Sequence, residues 1–144
     1  MAIYGIGAYY TDTDVSAEFV NGRVACVGWP REDAPAIHRL LEHIKTGDII
    51  YIKAHPPGRS LTVKAVGIVE REPVEDFTGL GRGLHVRWLW SGLETLQEST
   101  REKYNVRANT LYEEFSGVVQ TRILALLFSA LGGAECQQSQ RLQG

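Results

Sequence analysis

The sequence has few of the features that assign a chain to a specialised class of protein. Its two cysteines, Cys26 and Cys136, lie in an apolar stretch and in a polar tail. They offer neither a disulfide framework nor the spacing of zinc ligands, which predicts an intracellular protein with reduced thiols. No apolar run is long enough to cross a bilayer, and the first residues lack the basic and long apolar regions of a signal peptide. We therefore expect a cytoplasmic protein without membrane contact.

The chain also has little excess charge of either sign. Its 15 basic and 17 acidic residues give a formal net charge of −2. Such a chain lacks the dense cationic face with which proteins bind along a nucleic-acid backbone. Its length suits one domain with a substantial core. We predict a single domain over residues 1–131, followed by a flexible tail over residues 132–144.

Sequence motifs for catalysis and metal binding are missing as well. The four histidines are scattered, and none has a second histidine, cysteine or carboxylate at metal-ligand spacing. There is no phosphate-binding loop, nucleophile elbow or paired-carboxylate motif. We predict no catalytic residues, no metal and no cofactor, and we favour a binding protein over an enzyme.

The clearest local pattern is a helix followed by two strands, over residues 33–69. The helix has an apolar face with i, i+3, i+4 and i+7 spacing, formed by Ile37, Leu40, Leu41 and Ile44. His38 lies beside that face and is predicted to point outward. Gly47 is a stop signal, and the residues after it are rich in β-branched side chains. We expect residues 48–54 to pair antiparallel with residues 61–69 across a proline-containing turn.

Aromatic residues are concentrated in three other predicted strands. The first contains Gly5 and Gly7 and runs into Tyr9 and Tyr10, and the second ends at Trp29. In the strand GLHVRWLWSG, alternation places four residues on one face, namely Leu84, Val86, Trp88 and Trp90. The two glycines either bend a strand or leave room for a ligand, and the aromatic residues either fill the core or line a cleft. The sequence leaves both pairs of alternatives open.

A second helix is predicted over residues 116–131. Its buried face consists of Val119, Ile123, Leu126 and Leu127. Leu124, Phe128 and Leu131 widen that apolar surface beyond what one packing partner needs. The excess predicts a two-fold homodimer through this helix.

Several of these motifs resemble the PUA-like superfamily, which includes the EVE, ASCH and YTH domains. The similarity covers roughly residues 1–91, starting with the glycine-bearing aromatic first strand. It includes a helix that leads through Gly47-Asp48-Ile49-Ile50-Tyr51 into a strand, and a later strand Ala65-Val66-Gly67-Ile68-Val69. A loop and an aromatic strand follow. The resemblance implies an α/β (α+β) fold: a small, bent, mostly antiparallel β-barrel with two principal helices.

The resemblance also implies a cleft that holds a base or nucleotide, often a modified base flipped from its strand. We therefore predict a non-catalytic binding module for a nucleobase-containing ligand. Tyr9, Tyr10 and Trp29 are expected to flank the ligand, with Trp88 or Trp90 as the floor. Polar or charged contacts are expected from Arg87, Arg107 or Asn109. Two alternatives remain, which are an assembly module that uses the second helix and a nucleotide-acting enzyme that uses His85 as acid or base.

Overall fold

The computed structural model describes residues 1–54, 60–96 and 110–143, and within them the chain forms eight strands and three helices. The strands are β1 Ile3–Gly7, β2 Tyr9–Tyr10, β3 Thr13–Asp14, β4 Val24–Val27, β5 Ile49–Ala54, β6 Thr62–Phe77, β7 Gly81–Thr95 and β8 Leu111–Glu113. The helices are α1 Ser16–Gly22, α2 Pro35–His43 and α3 Gly117–Gln143. None of the described helices is long and apolar enough to span a membrane.

Six strands form one curled sheet in the order β4-β7-β6-β5-β1-β8, and β2 pairs with β3 separately. The predicted α+β, barrel-like fold is confirmed at this level, because the sheet curls into a half-barrel. The prediction of a mostly antiparallel barrel is wrong. The sheet is mixed and open, β1 and β5 are parallel, and α1 is a third helix. Alternating apolar residues look the same in parallel and antiparallel strands, so the pattern could not distinguish them.

The predicted helix–strand unit is confirmed. Leu41 and Ile44 are buried beneath α2, and Gly47 has the positive φ of +94° that its stop position required. β5 then pairs antiparallel with β6, from Ile49 opposite Ile68 to Ala54 opposite Thr62. The Asp48 carboxylate fixes the turn, since it accepts hydrogen bonds from the backbone N–H of Ala2 at 3.0 Å and of Lys45 at 2.9 Å.

The expectation that Trp88 and Trp90 share a face is wrong. Val66 pairs with Trp90 and Gly67 pairs with Trp88, so Leu89 is an extra residue on β7. Such a β-bulge reverses the alternation beyond it. Trp88 consequently packs on one face of the sheet and Trp90 on the other.

The two faces of the sheet support separate hydrophobic cores. One core includes Phe19 of α1 and Leu41 of α2, and the other includes Ile123 and Leu127 of α3. α3 continues through Gln143, so the predicted helix end at Leu131 is wrong. The two glycines after Leu131 do not end α3. A glycine inside a helix costs only about 1 kcal/mol, which the packing of the rest of a long helix offsets.

Candidate functional site

The two edges of the curled sheet approach each other at Trp29 and Thr110. Trp29 follows β4 at one edge of the sheet, and Thr110 precedes β8 at the other. The indole N–H of Trp29 donates a hydrogen bond to Thr110 Oγ1 at 3.1 Å. This contact is a hydrogen bond between two side chains, and it is not part of a backbone ladder between strands. It therefore brings the two edges together while the half-barrel stays open.

The parallel strands β1 and β5 end beside the same contact. Gly7 and Lys53 are their last register pair, and the Gly7 N–H donates to the Thr110 carbonyl at 2.8 Å. A Cβ placed on Gly7 would lie 3.5 Å from Lys53 Cε and 3.8 Å from its Nζ, so the amine lies next to this glycine. We refer to Gly7, Trp29, Lys53 and Thr110 as the edge junction.

Lys53 supplies the positive charge of the edge junction. Its Nζ lies 5.8 Å from the centroid of the Tyr112 ring, which is within the range of a cation–π interaction. Burial lowers the pKa of Lys53 to about 8. Because burial disfavours the charged form, an anionic group brought next to this amine would gain a charge-assisted hydrogen bond in a partly desolvated site.

Trp29 is held firmly although 55% of its surface is exposed. Its indole is bound to Thr110, and its carbonyl lies 2.7 Å from Nε2 of His38. His38 is 2% exposed, and its Nδ1 lies 3.0 Å from Nη1 of Arg82. A guanidinium only donates, so Nδ1 accepts and the imidazole hydrogen is on Nε2, which donates to Trp29. The bonds thus define a neutral tautomer.

The prediction that His38 points outward is wrong. The residue occupies the flank of the α2 apolar stripe, and the segment containing Trp29 covers that flank. A buried imidazole needs partners for both ring nitrogens, and here Trp29 and Arg82 supply them.

Arg82 is oriented in turn by an acidic side chain of α2. Its Nη2 donates to Glu42 Oε1 at 3.0 Å, and Arg31 donates to the same oxygen at 2.6 Å. The hydrogen bond from Arg82 and the charges of both arginines lower the pKa of Glu42. Surface pairs of this kind stabilise a fold by little, so their main effect is on the direction of Arg82.

Tyr10 and Tyr9 point in opposite directions. The Tyr10 hydroxyl lies 2.8 Å from the Leu80 carbonyl and 3.2 Å from that of Cys26, and burial raises its pKa. Its ring covers Gly28, where an added Cβ would lie 3.0 Å away. Tyr9 is 66% exposed. Tyr10 therefore fastens β2 to the segment before Trp29, and Tyr9 offers an accessible ring on the same part of the chain.

The other predicted site residues lie elsewhere or outside the described residues. The Trp88 indole N–H is shared by the carbonyls of Phe19 and Val24, each at 3.1 Å, and Trp90 packs against the α3 side of the sheet. β4 pairs with β7 from Val24 opposite His85 to Val27 opposite Arg82. Trp88 binds at the Val24 end of this pairing, whereas Trp29 lies beyond the Val27 end. The structure does not bring either tryptophan to Trp29 as a floor. Arg87 is exposed on the same strand, and Arg107 and Asn109 lie outside the described residues.

The histidine chosen for the enzymatic alternative has an ordinary surface partner. His85 Nε2 lies 2.9 Å from Glu75 Oε2, and its ring meets Phe77 edge-on with centroids 5.2 Å apart. Within residues 1–54, 60–96 and 110–143, no three histidine, cysteine or acidic side chains are grouped as metal ligands.

A separate concavity of about 380 Å³ lies between α1 and the β6–β7 hairpin. Lys64 and Asp14 form an ion pair at 2.5 Å in its wall, and Leu93 is exposed at its edge. Burial alone would raise the pKa of Asp14, but hydrogen bonds from Lys64 and Ser16 together lower it to about 2. None of the predicted site residues lines this concavity.

Sequence reasoning identified Trp29 but missed its neighbours at the edge junction. Lys53 occurs late in a strand, where a lysine usually indicates only a solvated end, and Thr110 lies in a polar segment without periodicity. No protein-family model matches this chain, and no curated protein is detectably similar to it. The resemblance to the PUA-like superfamily therefore stays a prediction.

Proposed function

We propose that this chain is a non-catalytic binding module for a nucleobase-containing ligand, and that the ligand binds at the edge junction. The observation that carries the proposal is the state of Trp29, a mostly exposed aromatic ring anchored at its indole nitrogen and at its own carbonyl. Exposed tryptophans normally lose rotamer freedom on binding, and an anchored ring has already lost it. An aromatic face prepared in this way suits stacking.

The chemistry of the neighbouring groups suits a nucleotide better than a plain aromatic ligand. Stacking of a base on Trp29 would contribute about 1–3 kcal/mol. Lys53 lies next to Gly7 and would donate to a phosphate or to a carbonyl oxygen on the base edge. Tyr9, whose ring is also exposed, is a candidate for a second aromatic face.

The charge of the chain favours one nucleotide, or one flipped base, over a long nucleic-acid strand. Each phosphate neutralised on a polymer releases counterions, so a long binding site gives a steep salt dependence. The formal net charge is −2, and the edge junction has one lysine. We therefore expect a shallow salt dependence, which agrees with the single-base pocket implied by the PUA-like resemblance.

A thermal-shift screen tests the proposal. Its ligands are the nucleoside 5′-monophosphates, nucleosides with modified bases and cyclic dinucleotides, because a ligand that binds only the folded state raises the Tm. For any ligand found, we expect Trp29→Ala to weaken binding at least tenfold, about 1.4 kcal/mol, while the Tm of the free protein changes little.

The matched control is Leu93→Ala, which removes an exposed apolar side chain at the separate concavity. It should leave both the affinity and the Tm unchanged. A screen in which no nucleobase-containing compound raises the Tm would contradict the proposal. Tight binding by a folded Trp29→Ala protein would place the site elsewhere.

We also propose that α3 provides a homodimer interface. Leu124, Phe128 and Leu131 follow i, i+4 and i+7 spacing on this helix, beside the residues that cover the sheet. Phe128 is 61% exposed and Leu131 is 36% exposed. An accessible apolar stripe on a helix suits contact with a second copy of the same stripe.

A further inference from the structure

The strongest unassigned group is the side-chain amine of Lys53 in the edge junction. The proposed function uses the charged form of this amine and gives no role to the lone pair of its neutral form. A neutral lysine amine is a nucleophile that attacks carbonyl carbons, and burial in apolar surroundings is one way in which proteins produce it.

Lys53 is anchored through its strand, and its amine lies against an apolar surface. It pairs with Gly7 in the parallel register of β1 and β5, which fixes its Cα position. Its Nζ lies 5.8 Å from the centroid of the Tyr112 ring, and Tyr112 is only 3% exposed. An aromatic ring offers an ammonium group less stabilisation than the water that burial removes. Burial accordingly lowers the pKa of Lys53 to about 8.

Gly7 leaves room for a ligand atom beside this amine. A Cβ built on Gly7 would lie 3.5 Å from Lys53 Cε and 3.8 Å from Nζ, which are ordinary van der Waals distances. The backbone carbonyl oxygen of Thr110 follows at 3.9 Å. A carbon atom can therefore lie next to Nζ on this side without moving the backbone. Lys53 and Gly7 are both partly exposed, so solvent reaches this part of the edge junction.

We propose that Lys53 captures aldehydes at the edge junction as a reversible imine. The neutral amine adds to the carbonyl carbon, a proton passes from nitrogen to oxygen, and loss of water leaves a C=N bond. The reaction needs neither an oxidant nor a reductant, and water reverses it. This activity goes beyond non-covalent binding and stands on the surroundings of Lys53 alone. Its extension to a formyl group on a nucleobase rests on the proposed function.

The neutral fraction of the amine gives the expected size of the effect. With a pKa of about 8, about one quarter of the amine is neutral at pH 7.5, against about 0.1% for an ordinary lysine. A lower pKa also weakens a nucleophile, but by less than the neutral fraction gains, as Brønsted coefficients of about 0.4–0.5 for thiols illustrate. We therefore expect Lys53 to react about ten times faster than an ordinary lysine.

Two other lysines of the described residues serve as internal references. Lys64 forms an ion pair with Asp14 at 2.5 Å, and an ion pair uses the charged form of an amine, which has no lone pair to attack with. Lys45 is exposed to water at the end of the α2 segment. Neither residue shares the surroundings of Lys53.

The test is reductive trapping of the full wild-type chain with propanal at pH 7.5. Sodium cyanoborohydride converts each imine into a stable secondary amine, and peptide mapping by mass spectrometry measures the rate at each lysine. We expect the adduct at Lys53 to form about ten times faster than those at Lys45 and Lys64. In urea the three rates should become equal. The peptide that begins at Met1 is quantified separately, because an α-amino group also reacts with aldehydes.

The conservative variant is Lys53→Arg, whose guanidinium keeps the charge and stays protonated. It should lose the fast adduct and retain the slow ones. Lys64→Arg is the matched control and should keep the fast adduct at Lys53.

Two outcomes would overturn the proposal: a native wild-type protein in which Lys53 reacts no faster than Lys45 and Lys64, or a preference for Lys53 that persists in urea. The second would assign the preference to the local sequence and not to the fold. Both outcomes are measured on wild-type protein, so the decision does not depend on whether Lys53→Arg folds.

A second aldehyde separates this activity from the proposed function. 5-Formyluridine carries its aldehyde on a base, and stacking of that base on Trp29 should raise the ratio of Lys53 to Lys45 labelling about tenfold above the ratio for propanal. Trp29→Ala should remove this increase. Equal ratios for the two aldehydes would contradict base stacking at the edge junction, while the propanal result alone decides whether Lys53 captures aldehydes.

Discussion

Gly5 shows how one missing side chain organises the sheet. A Cβ on this residue would lie 2.5 Å from the ring and hydroxyl of Tyr112, so the buried tyrosine fills the space that the glycine leaves. The room that the sequence suggested for a ligand is therefore occupied at Gly5. At Gly7, in the same strand, the nearest atom to such a Cβ is the flexible Lys53 Cε at 3.5 Å.

This difference predicts opposite results for two alanine substitutions. Gly5→Ala should lower the free energy of unfolding by about 1–3 kcal/mol, as overpacking of a core does. Gly7→Ala should change it by less than about 0.5 kcal/mol, because the contact is an ordinary one. Urea denaturation of the two variants gives the comparison. Equal stabilities would mean that Tyr112 can move away from Gly5 without loss.

Lys53 predicts how affinity changes at alkaline pH. The amine is charged below its pKa of about 8 and neutral above it. If Lys53 binds phosphate, the affinity for a nucleoside 5′-monophosphate should fall several-fold as the pH rises from 7 to 9.5, while the affinity for the uncharged nucleoside stays level. Titration calorimetry at several pH values measures both.

The control for this prediction is Lys53→Arg, which keeps its charge over the whole range. Its affinity for the monophosphate should not depend on alkaline pH. A decline of equal size in that variant would assign the pH dependence to another group.

At the scale of elements, the start of α3 is tied to the sheet by a buried carboxylate. Glu114 is 4% exposed, and its Oε1 accepts a hydrogen bond from the Tyr51 hydroxyl at 2.6 Å. Its Oε2 accepts from the Ser116 N–H at 3.1 Å, next to the first turn of the helix. Tyr51 also lies 2.7 Å from the Tyr112 hydroxyl, and burial raises its pKa, so it stays a donor. The carboxylate is thus held between β5 and the helix start, whose dipole favours negative charge.

Removing the Tyr51 hydroxyl should therefore destabilise the protein. Tyr51→Phe removes one hydrogen bond from a buried carboxylate, which costs about 1–3 kcal/mol. Tyr9→Phe removes the hydroxyl of an exposed tyrosine and should have no measurable effect. Chemical denaturation of both variants distinguishes the cases. A Tyr51→Phe protein as stable as the wild type would show that water or a neighbouring group replaces the hydroxyl.

Local elements were more predictable from the sequence than their neighbours in the sheet. The α2–β5–β6 unit depends on contacts close in sequence, and its stop at Gly47 is a local conformational requirement. The parallel pairing of β1 with β5 joins segments more than 40 residues apart, for which alternation carries no information. The bulge at Leu89 has no residue type that marks it, so the faces of Trp88 and Trp90 were assigned incorrectly.

The candidate site was predictable where one residue marks it by type and position, and not where it depends on contacts between distant segments. Trp29 could be identified by residue type and by its place at the end of a strand. Thr110 joins it only because the sheet curls until its two edges meet. His38 was misplaced because helical periodicity defines the centre of a buried stripe better than its flanks. A buried histidine on a flank depends on partners from elsewhere in the fold, here from the segment after β4 and from β7.

At the scale of the whole molecule, the two faces of the sheet are covered differently. α1 and α2 cover one face, and α3 covers the other. The helix buries Val119, Ile123 and Leu127 against the sheet. The apolar stripe of Leu124, Phe128 and Leu131 lies to the side of those residues and stays at least partly accessible. The stripe and the edge junction share no residue, so substitutions can address each of them separately.

The dimer can therefore be tested independently of ligand binding. We expect the wild type to have the mass of a dimer in light scattering at high micromolar concentration and Phe128→Glu to have that of a monomer, because a buried, unpaired charge at an interface is strongly unfavourable. Val118→Glu is the matched control, since Val118 is also exposed on α3 but lies outside the stripe. It should remain dimeric.

A monomeric wild type would contradict the proposal directly, and loss of the dimer in both variants would mean that the interface is not this stripe. Because Phe128 is 61% exposed in the single chain, the monomeric variant should keep the wild-type Tm at low concentration, where no dimer stabilises either protein.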